Sequence, residues 1–361
     1  MKARLIAHYL PQFHPILEND VWWGKGFTEW TNTAKAKPLF PGHALPNIPS
    51  DLGYYDLRVA ESREAQAELA KEYGIEGFCY WHYWFGGGKR LLERPFNEVL
   101  KTGKPDFPFC LAWANHTWSG IWHGSPNKIL IEQTYPSIND YKAHFYTMLN
   151  AFTDNRYLKI DGRNIFCIYR PTDFKDSKIF IDIWREMAKR EGAPDFFFIG
   201  ITDFPWAIPE GGYDGFTTNP PVGQLPYQGI KSMNDEIEKA FLLDKPELTA
   251  VPKLPQVYSY QVFIKNAFPE ATRRKEFFPC VMPNWDNTPR SGSNGFVLHD
   301  ATPELYKIHL EEAIQLVSNN SSDKRVIFVK SWNEWAEGNY LEPDLGHGRA
   351  YLKATLAAVK D

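Results

Sequence analysis

The sequence predicts a (β/α)8 barrel: a single domain over residues 1–361, with long loops after its first and second strands. Three observations carry this expectation. Eight short apolar runs recur along the chain, segments of helical period separate most of them, and no linker, repeat or low-complexity stretch divides the 361 residues. The runs are continuously apolar rather than alternating, as befits parallel strands buried on both faces. A doubly wound open sheet satisfies the same alternation and is the competing architecture.

Taken in order, strands are expected at 4–9, 77–83, 109–114, 164–169, 197–202, 215–218, 278–282 and 326–331. Between the first two, Asp56 can cap a helix on which Ala65, Leu69 and Tyr73 share a face and which Gly74 ends. Ser137 with Asp140 three residues on resembles a capping box for a helix at 141–152. A helix at 178–190 follows the fourth strand. Thr302-Pro303 opens another that carries Leu310, Ala313, Ile314 and Val317 on one face, and 349–360 closes the chain. Between Trp206 and Pro279 the pattern is weakest, with helices expected at 233–243 and 258–267. The insertions at 11–55 and 84–107 fall on the barrel's C-terminal face.

Composition removes several function classes. With 43 % hydrophobic and 16 % aromatic residues the chain is neither disordered nor a coiled coil. A net charge of −4 offers no basic excess to neutralise phosphates, so nucleic acid is not an expected partner. No run of 18 apolar residues signals a membrane span. The opening stretch, interrupted by His8, is too short and polar for a signal-peptide core; a cytoplasmic location is expected, with a removed leader left open. Cys79, Cys110, Cys167 and Cys280 each sit in an apolar run without a CxxC pair, which reads as four buried free thiols.

The tryptophans are unevenly placed. Trp22, Trp23 and Trp30 follow the first expected strand; Trp81 and Trp84 end the second; Trp113, Trp118 and Trp122 end or follow the third. Trp206, Trp285, Trp332 and Trp335 follow the fifth, seventh and eighth, and only Trp184 falls within an expected helix. Twelve of thirteen thus map to the face where such barrels hold their active sites. Trp also packs large loops, but a rim of flat apolar rings with polar edges suits the faces of sugar rings.

The sharpest local signal is Lys330-Ser331-Trp332-Asn333-Glu334-Trp335-Ala336-Glu337-Gly338, directly after the eighth strand. If this segment forms a helical turn, Glu334 and Glu337 face the same side. Two adjacent carboxylates whose pKa values are pushed apart suit glycosidic chemistry, one removing a proton while the other donates one. A solvated surface turn is the plain alternative.

This motif, with Leu341-Glu342-Pro343 after it, resembles the signature of the WbsX-type proteins, a family also described as glycoside hydrolase family 99-like. The segments from His8 to Pro15, Trp22 to Trp30 and Gly74 to Phe85 resemble the same family, so the likeness covers nearly the whole chain. It implies a (β/α)8 barrel and kinship to retaining endo-α-mannosidases that carry a Glu-x-x-Glu pair. The resemblance further implies that Glu334 takes the proton of a substrate 2-hydroxyl, which attacks the anomeric carbon to give a 1,2-anhydro sugar, and that Glu337 serves as acid and then base. One departure is visible: Trp113-Ala114-Asn115-His116 stands where relatives often carry Trp-Ala-Asn-Glu.

Further groups at expected strand ends can contact a glycan: His8, Tyr9, His82, Tyr83, Asn115, Tyr169, Asn284 and Asn333, with Glu29 in the first aromatic loop. Arg170, Asp203, Asn219 and Asp286 share such positions and read equally as loop caps. His8 and His14 lack a third ligand at a metal-binding spacing, so no metal and no cofactor is expected. Gly86-Gly87-Gly88-Lys89-Arg90 lacks the Ser or Thr and the leading Gly of a phosphate loop; it reads as a mobile loop over the barrel mouth.

Three functions compete. A glycoside hydrolase acting on an oligosaccharide or polysaccharide needs Glu334 and Glu337. A glycosyltransferase of surface-polysaccharide assembly would suit a cytoplasmic location, although the chain has no Asp-x-Asp triplet to hold a metal–nucleotide sugar. A non-catalytic carbohydrate-binding barrel needs the aromatic rim but not the glutamate pair.

Overall fold

The computed structural model describes residues 1–120, 125–204, 207, 209–221, 225, 229–245 and 250–360. Eight strands, Arg4–Tyr9 (β1), Ile75–His82 (β2), Phe109–Trp113 (β3), Arg163–Tyr169 (β4), Phe196–Thr202 (β5), Gly215–Thr218 (β6), Cys280–Val281 (β7) and Val326–Val329 (β8), pair in the order β7-β8-β1-β2-β3-β4-β5-β6, every pairing parallel. Two hydrogen bonds close the ring between β6 and the segment entering β7: Phe216 N–H donates to Glu276 O at 2.8 Å, and Phe278 N–H donates to Phe216 O at 2.9 Å. Closure removes both sheet edges and distinguishes the barrel from the open-sheet alternative.

Helices cover the outside, and phenylalanines fill the layer between. Phe166, Phe196 and Phe198 on β4 and β5 meet Phe145, Phe152, Phe180 and Trp184 from helices Ile138–Phe152 and Ser177–Glu191, all fully buried. Each such side chain contributes roughly 1.5–3 kcal/mol by leaving water. The four cysteines are buried free thiols.

Ser137 accepts from Asp140 N–H and starts its helix at Ile138; Thr302 does the same for Pro303–Val317 through Leu305 N–H. Asp56 does not cap: its carboxylate closes a turn onto Arg58 N–H, and the helix begins at Ala60. Gly74 stops that helix at φ +84°. The helix expected at 258–267 is divided, Gln256–Ser259 being a strand and Tyr260–Asn266 a helix capped by Ser259.

The loops at the C-terminal ends of the strands carry structure that periodicity did not show. A hairpin of Trp118–Gly120 and Ser125–Ile131 follows β3, and a small sheet joins Gln256–Ser259, Phe296–His299 and Trp285–Asp286. The first long loop folds into helices Leu17–Trp23 and Glu29–Lys35, whereas 84–107 contains the barrel helix Arg94–Thr102. The glycines at 86–88 form a turn closed by Phe85 N–H to Lys89 O at 2.9 Å, and Lys89 pairs with Glu18 at 2.6 Å. Among the described residues no helix is long and apolar enough to cross a membrane.

Candidate active site

A cavity of about 830 Å³ opens at the C-terminal ends of the strands. Its acidic wall is built by the segment after β8. Asn333–Glu334 pairs antiparallel with Asn339–Tyr340, and a 3-10 turn at Trp335–Glu337 joins them, so the motif is a tight hairpin rather than one helical turn. Gly338 completes it at φ +66°, where a Cβ would lie 2.8 Å from Asp286 N; no other residue fits there. Asn333 fastens the hairpin to the end of β1, accepting from Leu10 N–H at 2.7 Å and donating to Leu10 O at 3.0 Å. Trp335 stacks on Tyr340 at 3.8 Å and donates to Glu342 at 2.6 Å.

Glu334 and Glu337 converge on one guanidinium. Arg290, from the short helix Thr288–Ser291 after β7, donates through Nη2 to Glu334 at 2.6 Å, through Nη1 to Glu337 at 2.5 Å and through Nε to Glu29 at 3.0 Å. All four side chains are nearly closed to solvent. Burial raises the Glu334 pKa to about 7; Arg290 opposes the rise, and the charges of Glu337 and Glu29 add to it. Burial works against the charge on Arg290, but its three glutamates outweigh that and hold it firmly protonated. Among the described residues no three metal-ligating side chains form a metal-binding group.

The remaining walls are mainly aromatic and amide, Trp23, Trp81, Tyr83, Trp118, Tyr169 and Trp285 with Asn32, Asn115, Asn219 and Asn287, and they also carry the charged side chains of Lys330, Arg170 and Asp173. Asn115 donates to Tyr135 Oη at 2.9 Å, and its Oδ1 has no partner among the described residues. His116, at the departure noted in the sequence, lies in the same wall; burial beside Arg170 lowers its pKa to about 4, so it is a neutral hydrogen-bonding group.

The family model described as Glycosyltransferase WbsX matches residues 5–355. The chain belongs to the WbsX glycosyltransferase family. It is 35 % identical over 367 residues to the uncharacterized protein WxcX of Xanthomonas campestris pv. campestris, strain B100, covering 99 % of this chain and 50 % of that protein. WxcX of strain ATCC 33913 matches at the same identity and coverage, so the chain spans about half the length of the curated relatives it matches. Among solved structures, a glycoside hydrolase-like protein superposes with a TM-score of 0.63 at 14 % identity, covering 99 % of this chain and 94 % of that one. The GH99 endo-α-mannosidase from Bacteroides thetaiotaomicron superposes with a TM-score of 0.60 at 16 % identity, covering 99 % and 96 %. These likenesses show that the chain shares the fold of those two proteins.

Within this WbsX-family chain, strand period sorts the expected residues. Trp81 and Tyr169 face the cavity, as do Glu29, Tyr83, Asn115, Trp118, Trp23, Trp285 and the glutamate pair. Tyr9, His82 and Trp113 turn the other way, into the helix layer. There Tyr9 donates to Gln66 at 2.6 Å, His82 meets His144 at 2.7 Å, and Trp113 donates to Trp84 O at 2.9 Å. His8 faces inward but lies beneath the cavity floor, stacked on Trp81 at 4.9 Å and held neutral by burial beside Lys330, its pKa lowered to about 3. Trp22 sits behind Trp118. Trp30, Asn333 and Trp335 are buried supports, and Asn284 does not reach the walls. Asp286 caps its own loop through Thr288 and pairs with His43 at 2.8 Å. Trp122 and Trp206 lie outside the described residues. The tryptophan rim is therefore partly wall and partly scaffold. Sequence reading missed Arg290 and Lys330; the available signals were a lone cation after the seventh strand and the lysine heading the glutamate motif.

Proposed function

We propose that this chain is a retaining glycoside hydrolase of an α-linked glycan, with Glu334 as base and Glu337 as acid/base. The observation that carries the reading is the pair of buried carboxylates fixed by one guanidinium in an aromatic-walled cavity. In the first step Glu334 takes the proton of the substrate 2-hydroxyl, and that oxygen bonds to the anomeric carbon. The glycosidic bond breaks as Glu337 protonates the leaving oxygen. In the second step Glu337 takes a proton from water, the hydroxide opens the 1,2-anhydro ring, and Glu334 returns its proton to O2. A neighbouring hydroxyl is a preplaced nucleophile, so the protein supplies only positioning and proton transfers. A pKa near 7 makes Glu334 a stronger base than an ordinary carboxylate while leaving much of it ionised at neutral pH. Arg290 holds both groups in register and offsets their charge.

The family description favours a second reading, a glycosyltransferase, in which a sugar hydroxyl replaces water or a nucleotide sugar is the donor. The test is turnover of α-linked oligosaccharides by Glu334→Gln and Glu337→Gln. Each is expected to lose roughly 10²–10⁴-fold in rate while binding, measured by calorimetry, persists. Full activity in both variants refutes the hydrolase; saturable binding of a nucleotide sugar by the wild type favours the transferase; binding without turnover on any glycan leaves a carbohydrate-binding barrel.

A further inference from the structure

The same cavity holds a group that the proton transfers do not use. Lys330 is buried, lines the cavity and heads the glutamate motif. Its ammonium donates to Asn219 Oδ1 at 2.6 Å and lies 4.6 Å from the centre of the Trp285 ring. Among the described residues no carboxylate lies within ion-pair distance of it; Glu29, Glu334 and Glu337 are engaged by Arg290 instead. The neighbouring His8 is neutral and offers no countercharge.

A buried ammonium with only an amide and a ring for company is costly unless a bound group completes it. A second cation shares the wall. Arg170 lines the cavity from the end of β4 and reaches Asp173 only at 3.9 Å. Its backbone is left-handed at φ +49°, a conformation that a residue with a Cβ adopts at some cost and that sites tend to retain. Its Nε is buried without a hydrogen-bond partner among the described residues. Tyr169 ties the two together: Asn219 donates to Tyr169 Oη at 3.2 Å, and the Arg170 guanidinium lies 5.4 Å from the Tyr169 ring.

We propose that Lys330 and Arg170 form an anion subsite, and that the sugar bound in this cavity carries a negatively charged substituent. The inference rests on the cavity being the saccharide site. The shared chemistry is an oxyanion that takes charge-assisted hydrogen bonds from a lysine and an arginine. It can belong to the carboxylate of a hexuronic acid, to a phosphate ester, or to the diphosphate of a nucleotide sugar.

The test compares probes that differ in charge. Methyl α-hexuronides of gluco, galacto and manno configuration are titrated against the matching neutral methyl hexosides. Hexose 6-phosphates and UDP- and GDP-hexoses form two further arms, all read by ligand-observed NMR at fixed ionic strength. At least one charged probe is expected to bind roughly 10- to 100-fold tighter than its neutral counterpart. That preference should collapse in Lys330→Gln and weaken in Arg170→Gln. If Lys330→Gln does not fold, the half-exposed Arg170 carries the same comparison. Equal binding of every charged and neutral pair, no binding of any charged probe, or a preference untouched by both substitutions overturns the proposal. Because binding is read rather than turnover, its failure leaves the glutamate chemistry to its own test. Lys330-dependent binding confined to nucleotide sugars would support the subsite and overturn the hydrolase.

Discussion

Arg290→Met removes the cation that three buried glutamates share, while keeping the side chain's length and much of its packing. In the wild type the guanidinium sits 2.5–3.0 Å from the three carboxylates, in a site no more than 11 % exposed. Removing one partner of a buried, hydrogen-bonded charge pair costs about 3–5 kcal/mol, because the other charge is left uncompensated. The loss must depend on pH. An opposite charge at this range lowers a carboxyl pKa by roughly 1–3. Taking it away therefore sends Glu334 up from its value near 7. A carboxyl whose folded pKa exceeds its unfolded one destabilises the fold only where it must ionise; the wild type already bears that cost between pH 4.5 and 7, so the loss added by the substitution opens near pH 7 and grows up to the new folded pKa. Through Glu334, Arg290→Met should thus lose no extra stability near pH 4.5 and roughly 1–1.4 kcal/mol at pH 8, the loss still rising above that pH. The assay is urea unfolding across this range, with a ¹³C titration of glutamate carboxyls assigned through Glu334→Gln. An equal loss at both pH values, with Glu334 titrating where it does in the wild type, would refute the shared-cation account.

Glu342 is a second buried carboxyl with a pKa raised to about 7 by burial, but its partners are the neutral donors Gln66, Tyr55 and Trp335. Its ionisation costs the fold nothing below pH 4.5 and up to about 3 kcal/mol above pH 7; Glu342→Gln should match the wild-type Tm at pH 4.5 and exceed it at pH 8.5. Asn333→Ala orphans the buried N–H and C=O of Leu10, a loss of about 2–4 kcal/mol in denaturant unfolding. Because Glu334 is the next residue, kcat should fall more than KM rises. Trp118→Ala removes a cavity wall and should weaken saccharide binding by calorimetry, whereas Trp113→Ala empties a fully buried site and should cost about 3–5 kcal/mol of stability.

The strands were legible because each is apolar on both faces, a local property that needs no knowledge of neighbours. β1 and β6 begin and end where the apolar runs do. β7 shrinks to two residues because the segment entering it, around Phe277, bonds across to β6 to close the ring, a contact between distant parts of the chain. Asp56 misled for a related reason: its carboxylate found Arg58 first, and Leu57 N–H bonds to Phe13 O, holding the chain extended before the helix. The tryptophans misled by parity. Position at a strand end says that a residue is near the mouth, but alternate residues point to opposite layers, so Trp81 reaches the cavity and Trp113 does not. Arg290 was hidden because its importance lies in carboxylates 261, 44 and 47 residues away.

The C-terminal motif shows why such a site needs so many conserving contacts in so few residues. Lys330, Glu334 and Glu337 face the cavity, while Trp332, Asn333, Trp335 and Glu342 bind the hairpin from behind, to β1, to Tyr340 and to the helix bearing Gln66. Two like charges and a cation presented from one short loop repel or misalign unless the backbone is fixed independently of them. Here the fixing groups are neutral and buried, so a change of protonation in the cavity leaves the anchors unchanged. The exception is Glu342, which titrates in the same range as Glu334 while accepting from Trp335. A proton on Glu342 weakens its bond from Trp335 even as it relieves the buried charge, just as a proton on Glu334 removes the base proposed above. Both act in the same direction as pH falls through 7, which should make the acid limb of kcat/KM steeper than a single ionisation, and Glu342→Gln should restore the slope of one.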